Sequence, residues 1–97
     1  MSVTVKKIRA GKKYIDALVV KLQSKNLVLI RGSRGYIMCG YLDLGAAEKF
    51  KDTAVVVKGV EDIDDVLKSK VYSCTSEASK LGIYAGQPIK DILEIIC

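Results

Sequence analysis

Gly35-Tyr36-Ile37-Met38-Cys39-Gly40-Tyr41-Leu42-Asp43 is the stretch whose reading decides the fold: a short apolar strand, bounded by glycines, that runs straight into a helix start. With Gly35 and Gly40 at its ends, the backbone can bend or approach another group there without a Cβ in the way. Beyond it the apolar spacing changes. Asp43 is a good N-cap, and Ala46, Ala47 and Phe50 predict a short helix with one apolar side, ended by Lys51-Asp52. Ala54-Val55-Val56-Val57, closed by Lys58-Gly59, then reads as a β-branched strand. It completes a βαβ unit with the strand at residues 36–39, and the connection is expected to be right-handed.

Working back from this stretch, Leu27-Val28-Leu29-Ile30 is a continuous apolar run of strand length. The turn Gly32-Ser33-Arg34-Gly35 folds the next strand back onto it as a hairpin. Further back, Val3 to Ile8 is rich in β-branched residues, and Arg9-Ala10-Gly11-Lys12 turns it into a second extended run. In that run Tyr14, Leu18, Val20 and Leu22 share one face while Ile15, Ala17 and Val19 share the other. A strand apolar on both sides needs a helix layer on one face and a partner on the other. In a chain this small the partner is expected to be another subunit, with about 800 Å² buried on each side of a specific interface.

Working forward, Glu61 to Lys68 predicts a helix with acids in its first turn, a lysine at its end and a stripe of Ile63, Val66 and Leu67. Val71, Cys74, Ala78 and Leu81 recur at helical spacing and predict a helix over 70–81, with Gly82 as its left-handed cap. A last helix is predicted to start at Pro88, with Ile89, Ile92, Leu93 and Ile96 facing inward. The expected fold class is α+β, with one domain over residues 1–97. Its sheet is largely antiparallel or mixed, of about five strands, with three to four helices packed on one face. The β region is expected to occupy residues 1–40 and the helix-rich part residues 43–97.

Composition narrows the function classes. The 97 residues bound the chain to one modest core, and a hydrophobic fraction of 49% with mean hydropathy +0.21 favours an outlet for apolar surface in oligomerisation. Uncharged runs such as 35–42 fall far short of the roughly 18 apolar residues of a membrane span. Charges at Lys6 and Lys7 interrupt the N-terminal sequence before a secretory apolar segment forms. Cys39, Cys74 and Cys97 are odd in number and lack close pairing, which argues against a disulfide framework or a zinc knuckle and favours a reduced, cytoplasmic protein. The absence of histidine removes Ser-His and Cys-His nucleophilic schemes and the commonest metal ligand.

Charge is uneven. Residues 1–42 hold nine Lys or Arg against Asp16 alone, while residues 43–97 hold seven against ten acids, giving halves of about +8 and −3. A basic half is one signature of nucleic-acid binding. Lysines that guard strand edges and ends explain Lys6, Lys7, Lys12, Lys13, Lys21 and Lys25 better, because little aromatic interleaving accompanies them.

The candidate site gathers at the strand-to-helix junction: Arg34, Gly35, Tyr36, Cys39, Gly40 and Asp43 are the expected ligand-binding residues. Cys39 is the one candidate nucleophile, with Arg34 expected nearby to favour its thiolate, although a buried strand cysteine is the simpler account. Asp43 is explained by capping, yet the helix start it marks offers free N–H groups to an anion. Tyr36 and Tyr41 are expected to anchor the core margin, either one able to offer its hydroxyl. Glu61, Asp62, Asp64 and Asp65 read as a solvated face that complements a helix dipole, not as metal ligands, and no cofactor is indicated. A small-ligand or protein-binding module is the favoured reading. An enzyme using Cys39 and nucleic-acid binding by the basic half are the alternatives.

The nine residues 35–43, the strand Asn26-Leu27-Val28-Leu29-Ile30-Arg31-Gly32, and the segments Ile63-Asp64-Asp65-Val66-Leu67 and Ala78-Ser79-Lys80-Leu81-Gly82-Ile83 together resemble the YunC-like family, a small bacterial and archaeal domain of unknown function. The resemblance spans nearly the whole chain; the nine-residue match is the specific part. It implies an α+β fold whose N-terminal β region is used for tetramerisation, with no established activity or cofactor. Gln87-Pro88 stands where a small hydroxyl-type helix cap is expected, a departure that leaves the central stretch untouched.

Overall fold

The computed structural model describes residues 2–97. Strand β1 (Val3–Ala10) turns at Gly11 into β2 (Lys13–Lys21), which pairs antiparallel with β3 (Asn26–Arg31), and β3 pairs antiparallel with β4 (Tyr36–Met38). Helix α1 (Leu44–Lys49) carries the chain across to β5 (Ala54–Val56), which lies parallel to β4. Helix α2 (Ile63–Lys68) follows, then the two-residue strand β6 (Ser73–Cys74) antiparallel to β5, then α3 (Ser76–Lys80) and α4 (Ile89–Ile96). The six strands stand in the sheet in chain order, so one parallel pair, β4 and β5, interrupts an otherwise antiparallel sheet. The chain therefore has the expected α+β class, with a sixth short strand added at the edge.

Strand alternation distributes the core between two faces. Ile15, Ala17, Val28, Ile30, Ile37, Val55 and Val57 point to the larger core, where Ile63 and Val66 of α2, Ala78 of α3, and Ile89, Ile92 and Ile96 of α4 cover them. The intervening residues Met38, Ala54 and Val56 point the other way and pack under Ala47 of α1. Three helices thus share one face, as expected, and α1 alone takes the opposite one. The reason is in the sequence of β4 and β5, which are apolar at consecutive positions, as a strand in a parallel pair covered on both faces must be. Among the described residues no helix covers that second face over β1 and β2: Val3, Val5 and Tyr14 are exposed, and Leu18 and Val20 are half-buried.

Glycine fixes how closely the elements approach at one end of the site stretch. A Cβ on Gly35 would stand 2.8 Å from the carbonyl oxygen and Cγ2 of Thr53, so the start of β4 reaches β5 only without a side chain there.

Three expectations change. The helix predicted over 70–81 is confined to Ser76–Lys80, because the amides of Tyr72 and Thr75 donate to the Val56 and Ala54 carbonyls at 2.8 and 3.0 Å and extend the sheet along β5. An open edge of buried β5 would strand those carbonyls, and satisfying them outweighs a helical spacing that Val71, Tyr72 and Thr75 support poorly. Cys74 accordingly sits half-buried on β6, outside any helical stripe. Phe50, expected on the apolar side of α1, is 78% exposed, because it is the C-cap and Lys51 beyond it turns left-handed at φ 58°. Pro88 occupies the N-cap of α4 in place of a first-turn position and provides no side-chain cap.

Candidate functional site

The two parallel strands end side by side, and the chain leaves both of them in glycine-containing loops. Cys39, Gly40 and Tyr41 follow β4, and Lys58, Gly59 and Val60 follow β5 closely; with Lys25 from the β2–β3 turn and Asn26 at the start of β3 they line a cavity of about 340 Å³. This is the place where a parallel pair favours a ligand, since the crevice beyond the carboxyl ends of such strands is open while the faces are covered. Gly59 turns with φ +72°, a left-handed conformation that a side chain would strain.

The walls are held from three directions. Cys39 is 3% exposed; its amide donates to the Val28 carbonyl at 3.2 Å and its Sγ accepts from the Val28 amide at 3.3 Å, which ties the floor of the cavity to β3. Asn26 Nδ2 donates to the Glu61 carbonyl at 2.8 Å and so fastens the start of β3 to the loop after β5. The Lys58 ammonium lies 4.2 Å from the centroid of the Tyr72 ring, a cation–π contact that steadies this side chain. Tyr41 is half exposed beside it.

The six residues expected at the site do not meet. Cys39 and Gly40 line this cavity. Arg34 is at the other end of β4, where it borders a hollow with Lys12, Lys13, Glu94 and Cys97 and its amide donates to the Ile96 carbonyl at 2.9 Å. Gly35, beside it, packs on Thr53. Tyr36 and Asp43 belong to a shallow groove on the α1 face with Met38, Ala46, Phe50 and Asp52. There the Tyr36 hydroxyl donates to Asp52 Oδ2 at 2.7 Å, and burial, with that hydrogen bond second, pushes the phenol up to about 12. Asp43 accepts from the Gly45 amide at 2.8 Å and caps α1, the role its position in the sequence implies.

A strand separates what sequence proximity joins. The expected support of a Cys39 thiolate by Arg34 therefore fails, because the two residues stand at opposite ends of β4, and the Cys39 sulfur is enclosed and hydrogen-bonded to backbone. Lys25, Asn26, Tyr41, Lys58, Gly59 and Val60 were outside the expected set. Lys58-Gly59 carried a signal all the same: if β4 and β5 form a βαβ unit, the residues after both strands belong to one crevice. The Glu61–Asp65 acids serve α2: Asp62 accepts from the Asp65 amide at 2.8 Å, and Asp65 from the Glu61 amide at 3.0 Å. Among the described residues no cluster of three Cys, Asp or Glu stands where it could hold a metal ion.

Residues 38–96 match the model of a family described as a domain of unknown function, DUF1805. The uncharacterized protein YunC of Bacillus subtilis is 37% identical over 81 residues, covering 79% of this chain and 80% of its own length. A crystal structure of a protein of unknown function from Thermoplasma acidophilum superposes with a TM-score of 0.96 at 34% identity, over 99% of this chain and 94% of that one.

Proposed function

We propose that this chain, which belongs to the DUF1805 family, is a small-ligand-binding module whose site is the cavity at the carboxyl ends of β4 and β5. The observation that carries the reading is the convergence of three loops, two of them leaving the parallel strands, on one hollow of about 340 Å³. That volume suits a metabolite-sized molecule. Its lining combines an apolar floor at Cys39 and Val60 with polar groups at the rim, the composition of a binding pocket more than of a reaction centre.

The test uses the open space at Gly40, where an added Cβ meets no atom within 4 Å. Gly40→Leu fills the mouth without straining the backbone. In amide NMR spectra screened against a mixed library of neutral and charged fragments, the native protein should show shifts concentrated at residues 39–41 and 58–60. The Gly40→Leu protein should lose them while unfolding at the same denaturant concentration. Shifts that cluster elsewhere, or that survive in Gly40→Leu, count against this site.

A second property is supported by a separate observation: assembly into homo-oligomers, a tetramer being the expected form, through the uncovered face of β1, β2 and β3. Across these strands Val3, Val20 and Leu27 form one row and Val5, Leu18 and Leu29 the next, with Val5 65% exposed. The third row is charged: Lys7 and Arg31 both bond the Asp16 carboxylate, Arg31 Nη2 at 2.9 Å, and these hydrogen bonds, Lys7's first, hold Asp16 below the ordinary carboxylate range. An apolar field bordered by a row of paired charges has the layout of a subunit interface with its rim.

A further inference from the structure

We infer that the ligand of the β4–β5 cavity is a small anion, held by its oxygens between Lys25 and Lys58; this rests on the reading of the cavity as a binding site. Two lysines, Lys25 and Lys58, are among the residues that line the hollow, and none of its lining residues is Asp or Glu. Of the nearby acids, Asp62 and Asp65 are engaged at the start of α2. An excess of positive charge without a local counter-ion, at the rim of a concave site, raises the local concentration of anions.

Backbone donors point to the same class. Among the described residues, the amides of Gly40, Tyr41, Lys58, Gly59 and Val60 donate to no protein acceptor, although the flanking amides of Cys39 and Val57 are paired at 3.2 and 3.0 Å. Two consecutive donors after β4 and three after β5 are left over in the loops that wall the hollow. Runs of loop N–H groups of this kind bind anionic oxygens, and the bonds are stronger for being charge-assisted. Gly40 and Gly59, with open space where a Cβ would stand, let a ligand approach those amides directly. Below the rim the floor is apolar, with Cys39 and Val60 almost fully buried and the half-exposed Tyr41 ring to one side. An anionic head at the lysines with a compact body against Tyr41 and Val60 fits this division. Phosphoryl and carboxylate oxygens are equally served by the donors, and the shared chemistry is the anionic oxygen.

Titrating isotope-labelled protein with inorganic phosphate, benzoate and benzamide at low salt tests the assignment. Either anion should move the amides of Gly40, Tyr41, Gly59 and Val60, and the affinity should fall as sodium chloride is added. Lys25→Gln and Lys58→Gln should each weaken binding by about tenfold, the effect of losing one hydrogen bond to a charged group. Tighter phosphate binding assigns a phosphoryl ligand, and tighter benzoate binding a carboxylate with an apolar body. Benzamide binding as tightly as benzoate, or affinity unchanged in both lysine variants, overturns the anion while leaving the cavity as a site. No shift at these amides with any of the three probes, together with none from the neutral fragments above, overturns both.

Discussion

At Gly35 and Gly40 the same residue type does two different jobs, and the difference is measurable. Gly35→Ala places a methyl 2.8 Å from Thr53 backbone and side chain, an overpacking that should cost about 1–3 kcal/mol in urea unfolding. Gly40→Ala meets nothing within 4 Å and should stay within about 0.5 kcal/mol of the native protein. Tyr36 offers a second test. Its phenol is raised from 10.0 to about 12, so the folded state holds this proton more tightly than the unfolded chain. The stabilisation is complete below about pH 10 and is lost as pH rises from there toward 12. Ultraviolet titration should show one late-ionising tyrosine that Tyr36→Phe removes, and the variant should lose that part of the alkaline fall in stability. Asp43 was legible from sequence because an N-cap is set by residues next to it. The separation of Arg34 from Cys39 was not, because it depends on Tyr36–Met38 between them being extended.

Among the elements, the short helices survive through their caps more than through length, since helices of five or six residues are not stable alone. Thr75 is the clearest case: almost fully buried, its Oγ1 accepts from the amides of Ala54 at 3.1 Å and Ala78 at 3.3 Å and donates to the Asp52 carbonyl at 2.7 Å. One hydroxyl therefore joins the start of α3 to the start of β5. Thr75→Val keeps the shape and strands those groups, and should cost about 2–3 kcal/mol by chemical denaturation. A loss below about 0.5 kcal/mol would mean water replaces the hydroxyl at no cost. The inward face of helix α4 was readable, because Ile89, Ile92, Leu93 and Ile96 are all buried at the spacing that a helix packed on one side requires. Strand β6 was not, because Val71 to Cys74 fit a helical period and only the exposed edge of β5 selects the extended form.

For the whole molecule, the uncovered face of β1, β2 and β3 is the largest feature that the fold leaves unfinished. If copies of the chain close it, sedimentation should give an oligomer. The double variant Val5→Lys and Leu18→Lys should sediment as a monomer with its circular dichroism unchanged, since both side chains point away from the helix-covered core. A native protein that sediments as a monomer at micromolar concentration removes this interface. The sequence by itself determined the α+β class, the strand-to-helix switch at Asp43, the two-sided apolar strands and the inward face of α4. Those follow from periodicity and capping, which act within a few residues. Only the tertiary structure decided that α1 crosses to the opposite face, that 71–74 extend the sheet, and that Lys25 and Lys58 line one cavity with Cys39 while Arg34 is carried away. Each of these depends on which strand lies beside which, a choice made by burying apolar faces and pairing backbone edges across the whole sheet.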